Sequence, residues 1–198
     1  MSKDYLKEIE KYNIRVEKIN PRQCALLVID MQNYFDSITR GIKKNLLRII
    51  DTCRAHQVRI VVTRHGHKDI SKDGGMLAKW WGDNIMYGSN DWQMMPEFQP
   101  QKEDLIIDKN HYSGFFNTDL DERLRAEGIE ALIITGVMTN CCCETTARDG
   151  FVRDFRIFFV SDATATVNDD LHISTLKNLA YGFAHIVNTE DVCTQLNI

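Results

Sequence analysis

Apolar residues in this chain gather into short runs separated by polar stretches. "CALLVIDM" (24–31) is apolar along nearly its whole length and closes on an acid. "VRIVVTRH" (58–65), "DLIIDKN" (104–110), "ALIITGV" (131–137) and "RIFFVSDA" (156–163) repeat the pattern, and a shorter run opens "HIVNTEDVCTQL" (185–196). Short β-branched runs without alternation predict strands buried on both faces. Helical spacing fills the intervals. Leu46, Ile49, Ile50 and Cys53 recur at helical separations within 41–57. Residues 117–129 open on Asn117, a favourable cap, and carry acids in the first turn, so they predict a helix. Residues 142–154, 169–184 and the end of the chain read the same way, and the polar segment 3–12 predicts a helix in an N-terminal arm spanning 1–20.

Strands that alternate with helices predict one α/β domain over 1–198. The expected architecture is a three-layer α/β/α, Rossmann-like fold with a six-stranded, mainly parallel sheet. Segment 66–101 breaks the alternation and is expected to be a long irregular connection. It carries Met76, Leu77, Trp80, Trp81, Ile85, Met86, Trp92, Met94 and Met95, too many apolar residues to hang in solvent. Part of it is expected to cover the active site and part to bury against a second subunit. Trp80 and Trp81 are expected to pack rather than to recognise substrate.

Charge narrows the possible partners. The 24 Lys and Arg against 28 Asp and Glu leave a net charge of −4, and no basic run is present to neutralise phosphates, so nucleic acid is not expected as a partner. No apolar run is long enough to span a bilayer. The charged start "MSKDYLKEIEKYNIRVEKI" lacks the apolar centre of a signal peptide. The six cysteines show no spaced framework and sit in apolar segments, which predicts reduced thiols and a cytoplasmic location.

In open parallel sheets, ligands bind beyond the carboxyl ends of the strands. At those ends this chain places Asp30, then His65 and His67, then Asp108 and Lys109, then "GVMTNCCCETTARDG" (136–150). An acid, a lysine and a thiol on one rim are chemically complete for covalent acyl transfer. A helix N-terminus is expected to lower the thiol pKa and to offer N–H groups to an oxyanion. Each residue also has a plain alternative. The acid can be a cap, the lysine a solvent charge, and a cysteine a small buried hydrophobe. The helix-start argument alone admits Cys141 as well as Cys142.

"LLVIDMQNYF" (26–35) and the stretch from Ile106 to Thr166 resemble the isochorismatase-like cysteine hydrolases. That family includes nicotinamidases, N-carbamoylsarcosine amidohydrolases and ureidoacrylate or biuret-type amidohydrolases. The likeness runs over roughly residues 22–190 and is most specific from Gly136 to Asp149. It implies that Cys142 is the nucleophile, Asp30 the catalytic acid/base and Lys109 the catalytic lysine, with Cys141 and Cys143 as packing residues. It also implies a cis Val137–Met138 peptide and an oxyanion hole formed by the Met138 and Cys142 N–H groups. Gln32, Phe35, His65, His67, Tyr112 and Phe115 are the expected substrate-binding residues, with Asn110 and His111 within reach. The implied activity is hydrolysis of a small amide, ureido or carbamoyl C–N bond through a thioester, in a homo-oligomer. Nicotinamidases carry Asp-x-His after the second strand and bind a metal there. This chain has His65-Gly66-His67 and no evident third ligand, so no metal or other cofactor is expected. An ether-cleaving isochorismatase is the alternative within the family, and retention of Cys142 favours C–N cleavage. A thiol redox protein is the alternative outside it, weakened by the lack of a C-x-x-C pair.

Overall fold

A computed structural model describes residues 4–15 and 17–197. The strands are β1 (Cys24–Ile29), β2 (Arg59–His65), β3 (Leu105–Lys109), β4 (Ala131–Val137), β5 (Arg156–Ala165) and β6 (His185–Val187). They form one sheet in the order β3-β2-β1-β4-β5-β6. Every pairing is parallel, so the expected "mainly parallel" sheet is wholly so. The helices are α1 (Asp4–Glu10), α2 (Asp36–Thr39), α3 (Lys43–Ala55), α4 (Ile70–Asp73), α5 (Gly75–Trp81), α6 (Leu120–Ala126), α7 (Glu144–Val152), α8 (Asp169–Gly182) and α9 (Thr189–Leu196).

β1 shows why its sequence does not alternate. Cys24, Leu26 and Val28 enter one core with Leu46 and Ile49 of α3 and Val192 of α9. Ala25, Leu27 and Ile29 enter the other with Leu124 of α6, Ala147 of α7 and Leu176 of α8. Both faces are covered by helices, so both need apolar side chains. Among the described residues no helix is long and apolar enough to cross a membrane.

Three local expectations change. The connection 66–101 is not irregular throughout, because α4 and α5 lie within it, with a 3-10 turn at Pro96–Phe98. Its apolar residues divide: Ile85, Trp92, Met94 and Met95 are buried in the chain's own core, while Met76, Trp80 and Trp81 are exposed. Asn117 does not cap its helix. It adopts φ 55°, a left-handed conformation that Asn tolerates, and α6 begins three residues later with Asp119 at its N-cap. The helix expected from residue 142 starts at Glu144, preceded by a π-helical turn over Thr139–Cys143. Described residues of the N-terminal arm dock on the body of the fold. Ile9 is buried, and the Asn13 amide bonds Ile186 of β6 through both its nitrogen (2.7 Å) and its oxygen (3.0 Å).

Candidate active site

Parallel register brings four strand ends level. Ile29 of β1 lies opposite both Thr63 of β2 and Gly136 of β4, and His65 of β2 lies opposite Lys109 of β3. Asp30 leaves β1 at φ 51°, which turns its carboxylate back over the sheet edge. Its backbone N–H donates to the Thr63 carbonyl at 3.3 Å and to Thr63 Oγ1 at 3.2 Å. The Thr63 hydroxyl in turn donates to Asp30 Oδ1 at 2.6 Å. Thr63 has no motif of its own, and only the strand register identifies it.

Lys109 Nζ joins the cluster. It donates to Asp30 Oδ2 at 2.7 Å, to the His111 carbonyl at 3.1 Å and to Cys142 Sγ at 3.4 Å. Those contacts match the three donors of an ammonium. Both charged side chains are 0% exposed. Burial alone would push the Lys109 ammonium down, but the Asp30 carboxylate and the Cys142 sulfur hold it above its ordinary value. Burial pushes the Cys142 thiol up, Lys109 pulls it down and Asp30 pushes it up again, with a net rise. Burial thus opposes the expected fall in thiol pKa. Burial is the largest cause of the rise, because a buried thiolate loses its water. The resting sulfur keeps its proton, and the carboxylate that can take it stands beside it.

The turn that carries the three cysteines points them three ways. Gly136 has φ 103°, and a Cβ there would lie 2.1 Å from the Ile29 carbonyl oxygen, so only glycine lets β4 pass β1 so closely. The Val137–Met138 peptide that follows is cis. The Met138 carbonyl accepts the N–H groups of Cys141 (3.0 Å) and Cys143 (3.1 Å). Cys143 Sγ is directed into the core, towards the Thr135 carbonyl at 3.9 Å. Cys141 is half-buried beside the Tyr112 hydroxyl. Cys142 Sγ alone meets Lys109. All six cysteines are free thiols.

Above Cys142 opens a cavity of about 400 Å³, a size suited to a small ligand. Of the expected residues, Phe35, His65, Tyr112, Met138 and Cys142 line it, while Asp30 and Lys109 sit beneath its floor. Gln32, His67 and Phe115 do not line it. The Gln32 amide is fully buried and donates to the carbonyls of His65 (2.9 Å) and Trp92 (2.8 Å) while accepting the His65 N–H (2.8 Å). It binds loops together and has no free group for a ligand. Phe115 stacks on Phe155 at 5.7 Å within the core shared with α6, α7 and α8. His67 is 0% exposed, with its ring edge-on to His65 at 5.3 Å and its Nδ1 3.3 Å from Asp73 Oδ1. Among the described residues no three His, Cys, Asp or Glu side chains converge to hold a metal. Burial, then the Lys109 charge, push His65 down to about 3, so its imidazole is neutral at physiological pH.

Sequence reasoning missed part of the wall. Trp81, expected to pack, lines the cavity, and its Nε1–H donates to the Tyr112 hydroxyl at 2.7 Å. Tyr34, Asp83, Asn140 and Leu171 also line it. They come from four separate segments, and nothing in their local sequence links them.

Comparison with known proteins identifies the family and supports the fold. The isochorismatase domain model matches residues 24–191. Nicotinamidase 3 of Arabidopsis thaliana is 48% identical over 183 residues, covering 91% of this chain and 92% of that protein. A ureidoacrylate amidohydrolase of Agrobacterium fabrum is 30% identical, covering 88% and 90%. The crystal structure of a cysteine hydrolase from Pseudomonas syringae superposes with a TM-score of 0.88 at 31% identity, covering 92% and 96%. The His65-Gly66-His67 departure pointed away from nicotinamidases, yet a protein of that name shares nearly half of its aligned residues with this chain.

Proposed function

The chain belongs to the isochorismatase family, and on that premise we propose that it is a hydrolase of small-molecule C–N bonds, acting on an amide, ureido or carbamoyl group through a cysteine thioester. The relatives named nicotinamidase and ureidoacrylate amidohydrolase support the bond type. The observation that carries the mechanism is the Lys109 ammonium bridging Asp30 Oδ2 at 2.7 Å and Cys142 Sγ at 3.4 Å under the cavity floor.

In this reading Asp30 takes the Cys142 proton as the sulfur attacks the substrate carbonyl. Lys109 stays charged and holds the carboxylate and the sulfur in place. The backbone N–H groups of Met138 and Cys142 receive the developing oxyanion. Both residues line the cavity, and the Met138 carbonyl is already committed to the turn behind them. Asp30 returns the proton to the nitrogen as the C–N bond breaks, releasing ammonia or an amine and leaving a thioester. Asp30 then takes a proton from water, the resulting hydroxide attacks the thioester, and the acid departs as the thiol is restored. His65, Phe35 and Tyr112 contact the substrate as neutral groups.

Ammonia release from a panel of amides, ureas and carbamoyl compounds tests the reading. Cys142→Ala is expected to abolish turnover with the fold retained, and hydroxylamine should trap an acyl group from the wild-type protein. Cys141→Ala and Cys143→Ala are expected to keep most activity. A dead Cys141→Ala protein beside an active Cys142→Ala protein would reverse the assignment.

A further inference from the structure

The Asp30 carboxylate is held by two side-chain donors, one on each oxygen. Lys109 reaches Oδ2 at 2.7 Å and shares its Nζ with Cys142 Sγ at 3.4 Å. The Thr63 hydroxyl reaches Oδ1 at 2.6 Å. Chemistry fixes the direction of this second bond. Thr63 Oγ1 already accepts the Asp30 backbone N–H at 3.2 Å, and an ionised carboxylate offers no proton, so the hydroxyl donates. The Thr63 carbonyl takes the same N–H at 3.3 Å. Thr63 therefore meets Asp30 three times, from a strand position opposite Ile29. Those bonds grip a residue at φ 51°, a conformation uncommon outside glycine. Thr63 is 0% exposed and is not among the residues that line the cavity, so it can act on a substrate only through Asp30.

We infer that Thr63 is the positioning residue of the base: its hydroxyl fixes the Asp30 carboxylate with Oδ2 towards Lys109 and Cys142, and sets how tightly that carboxylate holds a proton. The inference rests on the reading of Asp30 as the group that takes the Cys142 proton. As the S–H bond breaks and the S–C bond forms, that proton moves to the carboxylate. A donor on the carboxylate favours its charged form and opposes protonation. The same donor makes the protonated acid readier to give the proton to the leaving nitrogen, so one hydroxyl serves both halves of the reaction. The other titratable groups facing Asp30 are Lys109 of β3, Cys142 and Cys143 of the π-helical turn, and His65 of β2. Burial raises both thiols and lowers His65 to about 3, while Asp30 and Cys142 hold Lys109 up against its burial. None of these groups is altered by a change at Thr63.

Thr63→Val deletes the hydroxyl and keeps a β-branched side chain of the same size, and Thr63→Ser keeps the hydroxyl. Thr63→Ala deletes it from a smaller side chain and replaces the valine variant if that protein does not fold. Two pH profiles are measured on each protein. One is kcat/KM for the best-cleaved amide of the panel. The other is the rate at which iodoacetamide alkylates Cys142 in the substrate-free protein, read on the Cys142 peptide by mass spectrometry. The acidic limb of each reports protonation of the Asp30–Cys142 pair as a unit. In Thr63→Val that limb should move up by about one to two pH units in both profiles, the scale of a hydrogen bond to a charged group. Thr63→Ser should keep the limb of the wild type. A merely structural role lowers the rates at every pH and leaves the limb in place. That outcome, or a limb that moves as far in Thr63→Ser as in Thr63→Val, overturns the inference. If the wild type cleaves no amide, the amide reading fails, and the alkylation profile decides the role of Thr63 alone. A raised limb in Thr63→Val then supports it, and an unmoved, lowered or absent limb overturns it.

Discussion

Replacing Lys109 with Met separates the two roles of the buried lysine. The substitution keeps a long apolar stem and deletes the charge. Nζ lies 2.7 Å from Asp30 Oδ2, with both side chains 0% exposed. At an effective dielectric of about 20, that separation corresponds to roughly 6 kcal/mol of attraction. Removing two ions from water costs several kcal/mol each, so the intact pair adds little net stability. Removing one partner is different, because Asp30 keeps its burial and loses the ammonium that compensates its charge. The expected loss is about 3–5 kcal/mol, a large share of the roughly 5–15 kcal/mol that holds a typical domain together. The double variant Asp30→Asn/Lys109→Met leaves no buried charge and should recover at least about 2 kcal/mol of that loss, since the two sites are strongly coupled. Neither variant should turn over amide. Alkylation of Cys142 by iodoacetamide should also slow in Lys109→Met, because the lysine is the group that pulls the thiol pKa down. Urea unfolding followed by tryptophan fluorescence gives the stabilities. A single variant within about 1 kcal/mol of wild type, or a double variant no more stable than the single, would refute the account of a buried, charge-coupled site.

Two other expectations follow from burial and exposure. His65 is held down to about 3 in the fold against about 6.5 when unfolded, so between those values the unfolded chain binds the proton and the folded chain does not. Stability should therefore fall as pH drops from about 6.5 towards 3, at up to about 1.4 kcal/mol per pH unit from this residue, and urea midpoints for His65→Asn should show a shallower acid slope. An unchanged slope would mean that the ring is not excluded from water. Trp80 is 76% exposed on α5, beside the half-exposed Trp81. If the homo-oligomer implied by the family resemblance uses this face, Trp80→Ala should lower the mass seen by sedimentation at micromolar concentration. A wild-type monomer near 22.9 kDa with full activity would exclude the expected burial of this segment against a second subunit.

Patterning along the chain was enough for the sheet, for most of its strands to within a residue or two, and for an acid, a lysine and a thiol at one rim. Strands buried on both faces need uninterrupted apolar runs, and that requirement is written locally, as in Cys24–Ile29. Which side chains meet depends on register and packing. Thr63 reaches Asp30 only because β2 pairs with β1 in one particular register. Gln32 and Phe115 lie near catalytic candidates in sequence, but Gln32 turns into loop bonds and Phe115 into a stack with Phe155. Three adjacent cysteines look alike in a motif, yet the π-helical turn sends one to Tyr112, one to Lys109 and one into the core. The thiol's net upward shift also depended on the fold, since the burial that raises it comes from segments far from Cys142 in the chain. Periodicity records what each residue needs from solvent, and that is a local property. Contact, field and desolvation at a site come from segments far apart in the chain, and their sum exists only once the strands are in register.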